Sequence, residues 1–294
     1  MLDMALNNAL ADHKTYGNVE MQHRLFARLR REDPVHWTEP AGFRPFWTVT
    51  KYADIIEIER QADRFINAPR TKLLSVEFES KVREAMNGGP MLVRALPQMD
   101  NPDHAKYQKL THAWFQPRQL RTLSDRMEAL ASAGHDTTSA TIAGGLLALI
   151  ENPEAMARLQ RDGDLIPDAA EEMVRWVSPV KHFFRTAAVD YEIRGKKIKP
   201  GDSLFISYPS GNRDEEAFDR PFEFLPDRSP NRHLGFGFGI HACIGRHLAK
   251  AEIVAFFREF FKRVDRVELA GKPAWTETSF LGGVKRLPVR YRAR

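Results

Sequence analysis

The most chemically reactive side chain of the sequence belongs to its only cysteine, Cys243, which lies in the glycine-rich segment Phe236–Gly245 ahead of a predicted helix. A cysteine thiolate can act as a nucleophile or as a metal ligand. We expect Cys243 in the first turn of that helix, where unpaired backbone N–H groups lower the pKa of a thiol. The glycines allow the backbone to fold closely around a bulky planar ligand.

Four other interpretations fit the same residues. An isolated cysteine is often a packed core residue. Gly237–Ala242 matches a dinucleotide-binding fingerprint, but the preceding Ser229–His233 is not an apolar strand. Cys243 and His247 have the spacing of two zinc ligands on one helix, although further ligands would have to be isolated histidines. A cysteine nucleophile assisted by a histidine is the fourth alternative, and neither it nor zinc explains the aromatic and glycine content of the loop.

The loop resembles the haem-binding signature of the cytochromes P450. The matching positions, in order, are Phe236, Gly239, His241, Cys243 and Gly245. The resemblance implies haem b (iron protoporphyrin IX) as cofactor, Cys243 as the iron ligand, and Phe236 and Gly239 as cofactor-binding residues. The sequence is most similar to the soluble bacterial branch that hydroxylates terpenes such as α-terpineol.

Two further motifs support this resemblance. Glu172 and Arg175 form a Glu-x-x-Arg pair, with Arg228 as the third member of an ion-pair network; alone, such a pair is a common surface feature. Asp136 and Thr137 match the acid and alcohol of the oxygen-activating segment, although Asp-Thr also commonly caps a helix. The resemblance implies that Thr137 binds dioxygen by a hydrogen bond and that Asp136 supplies protons, which makes these two the catalytic residues.

The resemblance also assigns residues to the haem propionates and to the substrate. The expected propionate partners are His104, Arg185 and His233, whereas Gln108 stands where the family usually has an arginine. By analogy, substrate contacts fall on Val180, Lys181, Phe183, Phe280 and Leu281. Each of these side chains has an ordinary alternative as a surface or core residue.

The elements that position these residues follow from periodicity and from helix-breaking residues. We predict helices over 19–31, 51–60, 103–115, 140–150, 167–177 and 245–264, a helix opening at Pro117 and passing Leu123, and a strand over 46–50. The segment 67–97 reads as a long loop that could contact substrate, 181–208 as strand-rich, and 222–230 as an irregular meander.

Composition narrows the class of protein. The 294 residues, 43% hydrophobic and 28% charged, suffice for one large core, and the lone cysteine excludes an internal disulfide. Thr137–Ile150, the longest uncharged apolar run, is too short to span a bilayer, so we predict a cytoplasmic protein without a membrane partner. The net charge of +5 is interspersed with acidic residues, which favours an acidic protein partner over nucleic acid.

The resemblance implies that this partner is a ferredoxin-type electron donor. Its expected docking face carries the basic residues Lys109, Arg118, Arg121, Arg246, His247 and Lys250. The other partners would be O2 and a small apolar substrate, terpene or aromatic hydrocarbon.

The resemblance is interrupted between Leu130 and Gly134. About a hundred residues expected in the family, the size of a small domain, are absent there. We therefore predict a single domain over 1–294, mainly α with small β-sheets, in a cytochrome P450 fold that lacks the distal roof helices. Its apolar helix over 140–150 should then be exposed. The chain is either a haem-thiolate monooxygenase or a non-catalytic, partly folded haem-binding remnant of one.

Overall fold

The computed structural model of the chain describes residues 2–89, 95–112 and 127–294, and shows a mainly helical protein with small β-sheets. The helices in these ranges are α1 (Leu2–Ala11), α2 (His13–Gly17), α3 (Val19–Glu32), α4 (Tyr52–Glu59), α5 (Val76–Ala85), α6 (Asp103–His112), α7 (Met127–Glu151), α8 (Pro153–Arg161), α9 (Ile166–Val177), α10 (Tyr208–Gly211) and α11 (Arg246–Arg263).

The strands form one five-stranded sheet and three two-stranded sheets within the described ranges. The large sheet has the order β1-β2-β7-β4-β3, in which only β2 and β7 pair in parallel. The strands are β1 (Val35–Thr38), β2 (Phe46–Val49), β3 (Phe65–Ile66), β4 (His182–Ala187), β5 (Tyr191–Ile193), β6 (Lys196–Ile198), β7 (Ser203–Ser207), β8 (Val264–Leu269), β9 (Ala274–Trp275), β10 (Val284–Arg286) and β11 (Val289–Ala293).

Most predicted elements are confirmed, with two differences. The segment 67–97, read as a loop, contains α5, whose first turn is capped by the side chain of Ser75 accepting from the N–H of Phe78. The predicted helix 103–115 is described only as far as His112, and the helix expected at Pro117 lies outside the described residues until Met127. Asn152 and Pro153 end α7 as predicted, because proline cannot continue the helix.

Both faces of the large sheet are covered. Phe46, Phe184 and Phe205 pack against α1–α3, whereas Val49, Leu204 and Ile206 belong to the cluster that includes α4. A third cluster joins α7, α8, α9 and α11. One face of the sheet is therefore mainly aromatic and the other mainly aliphatic, and β4 contributes side chains to both faces.

The expectation that residues 140–150 expose an apolar surface is wrong. None of these residues is exposed, and Leu146–Leu149 are almost completely buried. The reason is that α9 and α11 pack along this half of α7, with further contacts from α8, β8 and β10. Exposed residues of α7 flank this buried half, at His135, Asp136 and Ser139 before it and at Glu151 after it.

Candidate active site

The cysteine loop is closed by its own backbone and supported by α4. The N–H of Cys243 donates a 2.7 Å hydrogen bond to the carbonyl of Phe236. Gly237 and Gly239 both have φ of +67°, a conformation that favours glycine. A Cβ atom at Gly239 would overlap the carbonyl oxygen of Glu59 at the end of α4. The close approach of the loop to α4 therefore depends on glycine at this position.

Cys243 precedes the helix instead of lying in its first turn, because α11 begins at Arg246 and has Gly245 as its N-cap. The residue is exposed, yet the atoms packed around its sulfur desolvate it and raise the pKa of the thiol above its ordinary value. The backbone N–H groups of Gly245 and Arg246 act in the opposite direction but do not reverse the shift. The expected thiolate is thus not supplied by the helix end alone; a bound metal cation would deprotonate the thiol.

Two histidines and an amide come together beside the loop. The ring of His241 lies 4.2 Å from that of His104 in α6, and the amide nitrogen of Asn67 lies 2.9 Å from His241 Nε2. Burial, then the charge of Arg185, then that of His104 lower the pKa of His241 to about 3. Burial also lowers the pKa of His104. Both imidazoles are therefore neutral hydrogen-bonding groups next to a cationic arginine.

Arg185 extends from β4 toward α4. Its guanidinium donates a 2.7 Å hydrogen bond to Oε1 of Glu59, which also accepts one of 2.7 Å from the hydroxyl of Tyr208. Burial raises the pKa of the Glu59 carboxyl, while Arg185 opposes this shift. The second oxygen of Glu59 is buried and accepts no hydrogen bond from the described residues. This carboxylate fixes the orientation of the arginine beside the histidine pair.

His233 has a different environment from the other two predicted propionate partners. Its Nε2 lies 3.0 Å from Glu171 of α9, which also accepts a 2.6 Å hydrogen bond from Lys250 of α11. The ring of Phe236 lies 5.6 Å from that of His233. His104 and Arg185 thus both lie near His241, whereas His233 lies near Phe236.

The Glu-x-x-Arg pair is buried and forms the predicted network. Glu172 accepts two hydrogen bonds of 2.7 Å from Arg175 and one of 3.0 Å from Arg228. The N–H of Leu225 and the amide of Asn231 complete its coordination at 2.9 and 3.2 Å. Since all three charged side chains are at most 9% exposed, the network ties α9 to the meander below the cysteine loop.

The predicted catalytic pair lies on α7 near its solvent-exposed part. The Asp136 side chain is 78% exposed and lies 3.2 Å from His135. The half-buried hydroxyl of Thr137 donates to the carbonyl of Gly134 at 3.5 Å, a long contact that a better acceptor could replace. The hydroxyl of the next residue, Thr138, is buried and has no partner in the described part of the chain.

The predicted substrate contacts converge where β4 meets the C-terminal segment. Val180 pairs with Leu281, and the rings of Phe183 and Phe280 lie 5.4 Å apart. Lys181 differs from the rest, because its amine donates to the carbonyl of Val177 at 3.2 Å. Burial lowers the pKa of Lys181 to about 8. The aromatic pair offers an apolar wall, whereas the lysine amine is bound to the end of α9.

Comparison with known proteins decides the family. The family model described as Cytochrome P450 matches residues 119–281. The chain belongs to the cytochrome P450 family. It is 30% identical to Cytochrome P450-terp of a Pseudomonas species, covering 94% of this chain and 95% of that protein. It is 43% identical to a methyl-branched lipid omega-hydroxylase of Mycobacterium bovis, but over 55% of this chain and 38% of that one.

Solved cytochromes P450 share the fold. The crystal structure of CYP108D1 from Novosphingobium aromaticivorans is 28% identical, with a TM-score of 0.93 and full coverage of both chains. CYP268A2 of Mycobacterium marinum in complex with pseudoionone is 26% identical, with a TM-score of 0.82 and coverage of 93% and 95%. The alignment with the Pseudomonas protein spans 405 positions, whereas this chain has 294 residues, so more than a hundred positions hold no residue of this cytochrome P450.

The residues of this cytochrome P450 fit haem b, the cofactor of its family. A single thiol, a soft ligand of the kind that binds haem iron, emerges from a glycine loop on the surface. Within the described ranges, no three His, Cys, Asp or Glu side chains cluster as a metal site. The donors near His241 suit a propionate. Among the same residues, no helix is long and apolar enough to cross a bilayer.

Sequence reasoning missed two residues that organise the site of this cytochrome P450. Glu59 positions Arg185, and Asn67 links His241 to the carbonyl of Met99. The signal for Glu59 was a carboxylate at the end of a helix rich in isoleucine, which is an unusual place for a buried charge. No local pattern marks Asn67.

Proposed function

We propose that this cytochrome P450 hydroxylates a small apolar substrate, a terpene or an aromatic hydrocarbon, using O2 and electrons from a ferredoxin. The observation that carries the proposal is the placement of Cys243, whose sulfur interacts with two backbone N–H groups at the exposed end of a glycine loop. The similarity to Cytochrome P450-terp and to a structure that contains pseudoionone supports a terpene-like substrate.

In this proposal the chain's own residues have separate tasks. Haem, when bound, supplies the activation of O2 and the oxidation of a C–H bond. Cys243 would bind the iron, His104, Arg185 and His233 would bind the propionates, and Phe236 and Gly239 would shape the loop around the ring. Asp136 would take protons from water, and Thr137 would hold a proton at its hydroxyl.

The apolar side chains would define the substrate. Phe183 and Phe280 form one wall, and neither side chain carries a hydrogen-bonding or charged group. Such a wall excludes water and favours a hydrocarbon ring. Val180 and Leu281 extend this wall through the backbone bridge between them.

A second candidate function, a haem-binding remnant without turnover, is favoured by the exposure of Asp136. A proton-delivering carboxylate that is 78% exposed cannot control access of water to the reaction. The same exposure agrees with the absence of more than a hundred positions that the Pseudomonas relative has.

One experiment separates the two candidates. We expect the reduced protein with carbon monoxide to show the thiolate-type absorbance band, and Cys243→His to abolish it. Incubation of α-terpineol with a ferredoxin, its reductase and NADH should then give a hydroxylated product. A thiolate-type band without product would favour the remnant, and a band that persists in Cys243→His would remove Cys243 as the ligand.

A further inference from the structure

A cavity of about 530 Å³ lies between α5 and the large sheet, away from the cysteine loop. Its volume falls within the range of about 300–1,000 Å³ that is usual for small-molecule sites. Its lining combines aromatic and cationic side chains, among them Trp37, Arg44, Arg70, Phe78 and Arg83, with the hydroxyl residue Thr186. None of these residues belongs to the candidate active site.

The cavity and the candidate active site lie on opposite faces of β4. Successive side chains of a strand point to opposite sides of the sheet. Phe184 packs with the aromatic cluster on the α1–α3 side, and Thr186, two residues later, lines the cavity. Arg185, between them, reaches Glu59 on the α4 side. The sheet therefore separates Arg70 and Thr186 from Arg185, whereas Lys72 at the edge of the cavity lies 4.4 Å from the centre of the Phe280 ring.

Arg70 is a buried cation with weak partners. It is 8% exposed, and its guanidinium lies over the rings of Phe46 and Phe184 at 5.4 and 4.2 Å. Its hydrogen bonds, to the carbonyls of Arg44 and Pro45, are all 3.4 Å long. Within the described residues its Nε has no hydrogen-bond partner and lies 3.8 Å from Oε1 of Glu79. Burying a charge with such poor compensation is unfavourable, and a bound anion would relieve this cost.

A second unsatisfied group lines the same cavity. The hydroxyl of Thr186, a residue only 6% exposed, has no hydrogen-bond partner in the ranges that the structure describes. A buried hydroxyl without a partner is uncommon in proteins. Arg70 and Thr186 together offer an N–H and an O–H donor, which matches the two oxygens of a carboxylate.

The charge balance of the lining also favours an anion. Glu79 lies 2.7 Å from Arg44 and 3.8 Å from Arg70, so one carboxylate serves two arginines. Among the residues that the structure describes, Lys72 and Arg83 form no ion pair. The other acidic residue of the lining, Asp202, accepts hydrogen bonds from Trp47 and from the N–H of Lys199.

We propose that this cavity binds a small organic acid, with its carboxylate on Arg70 and Thr186 and its apolar body against Trp37, Phe78 and Val82. The apolar walls distinguish this ligand from an inorganic anion. Arg83, at the exposed side of the cavity, adds positive charge that attracts the acid. The site would thus let a carboxylic acid bind the protein without entering the haem side of the sheet.

Calorimetric titration of the haem-loaded protein tests this proposal with 4-phenylbutanoate as probe and 4-phenyl-1-butanol as its neutral counterpart. We expect one molecule of the acid to bind, and the alcohol to bind at least about tenfold more weakly. Arg70→Gln should weaken binding of the acid by about tenfold, and Thr186→Val by several-fold. The haem absorbance should not change, because the acid stays behind the sheet.

The controls separate binding from folding. Thr186→Val removes an unpaired hydroxyl, and Arg83→Gln alters an exposed side chain, so both variants should fold even if Arg70→Gln does not. Ser207→Ala removes another buried, unpaired hydroxyl of the large sheet that does not line the cavity, and should leave the affinity unchanged. Equal affinity for the acid in the parent, Thr186→Val and Arg83→Gln, or equal affinity for acid and alcohol, would overturn the proposal.

Discussion

Glu172 accepts two 2.7 Å hydrogen bonds from Arg175, and neither side chain is exposed to solvent. A bidentate pair of this kind three residues apart on α9 is geometrically fixed, unlike a mobile surface pair. Arg228 and Asn231 bind the same carboxylate from the meander. The pair therefore holds the segment before the cysteine loop against the helical core.

Glu172→Gln should destabilise the fold strongly, because it leaves two buried arginines without their counter-ion. Breaking a buried ion pair costs about 3–5 kcal/mol. The control is Glu20→Gln, which removes the exposed partner of Arg24 on α3 and should cost less than about 1 kcal/mol. Urea unfolding followed by circular dichroism compares the two. Similar midpoints for both variants would contradict a structural role of the buried network.

Thr137→Ala should divert electrons from product to hydrogen peroxide. We expect haem content to stay at the parent level, because the Thr137 hydroxyl makes only a 3.5 Å contact to the carbonyl of Gly134. Ser139→Ala, an exposed hydroxyl on the same helix, is the control. The measurement is hydrogen peroxide formed per NADH consumed. The same ratio in both variants and in the parent would remove Thr137 from proton transfer.

The ferredoxin should dock where α6 meets the cysteine loop. The Gln108 side chain donates a 3.1 Å hydrogen bond to the carbonyl of Ile240, which places the exposed Lys109 beside the loop that leads to Arg246. Lys250 is less available, because it is paired with Glu171, and Arg118 and Arg121 lie outside the described residues. We expect Lys109→Glu and Arg246→Glu each to slow electron transfer several-fold at low salt.

The control for this docking surface is Lys197→Glu, which makes the same charge change on the exposed strand β6. Stopped-flow reduction of the haem by a reduced ferredoxin measures the rate. The difference between the variants should shrink as ionic strength rises, since salt screens exposed charges. A rate loss as large in Lys197→Glu would place the docking face elsewhere.

Acid should weaken the fold through His182. This buried ring donates from Nδ1 to the carbonyl of Ser279 at 2.6 Å and accepts at Nε2 from the N–H of Leu73 at 3.0 Å, so it is neutral. Burial lowers the pKa of His182 from 6.5 to about 3. A lowered histidine pKa means that the unfolded chain binds the proton first, so stability is complete above pH 6.5 and declines below it toward pH 3.

Replacing this histidine should remove that part of the pH dependence. Between those limits His182 contributes a slope of up to about 1.4 kcal/mol per pH unit to the free energy of unfolding. His182→Gln should unfold more readily at neutral pH but with a shallower decline on acidification. His135→Gln, which changes an exposed histidine, should keep the parent slope. An unchanged slope in His182→Gln would assign the acid sensitivity to other groups.

Features of the fold and the site could be predicted from the sequence when the residues that specify them lie close together along the chain. The C-terminal ends of α7 and α9 and the Glu172 pair follow from patterns within a few residues, whereas the start of α11 was predicted too early to place Cys243 correctly. The contact between His104 and His241 joins residues far apart in sequence, and the sequence analysis did not predict it. Glu59 and the Arg70 cavity depend on how the sheet is covered, which no local pattern specifies.

Residues 140–150 show that local patterns can also give a wrong prediction, because they do not specify which elements pack against a helix. The apolar run correctly predicted a helix. Its exposure was predicted only because the segment that covers this helix in the family is absent from the chain. The structure instead covers it with α9 and α11. The approach of α9 is close because Gly144 and Gly145, which face Val177 and Met173, carry no side chain. The apolar pattern thus indicated that this helix is buried, but the elements that pack against it could be identified only from the fold.

This packing makes Gly144→Ala a sensitive test of the α7–α9 contact. A Cβ atom at Gly144 would lie 2.6 Å from Cγ2 of Val177, a β-branched side chain with little freedom to move. Alanine favours a helix over glycine by about 1 kcal/mol, but overpacking costs about 1–3 kcal/mol, so we expect net destabilisation. Gly134→Ala in the same helix, where no described atom lies within 4 Å of the added Cβ, should stabilise the protein. Thermal unfolding of both variants compares the two effects, and a gain in stability for Gly144→Ala would show that α7 and α9 are farther apart in solution.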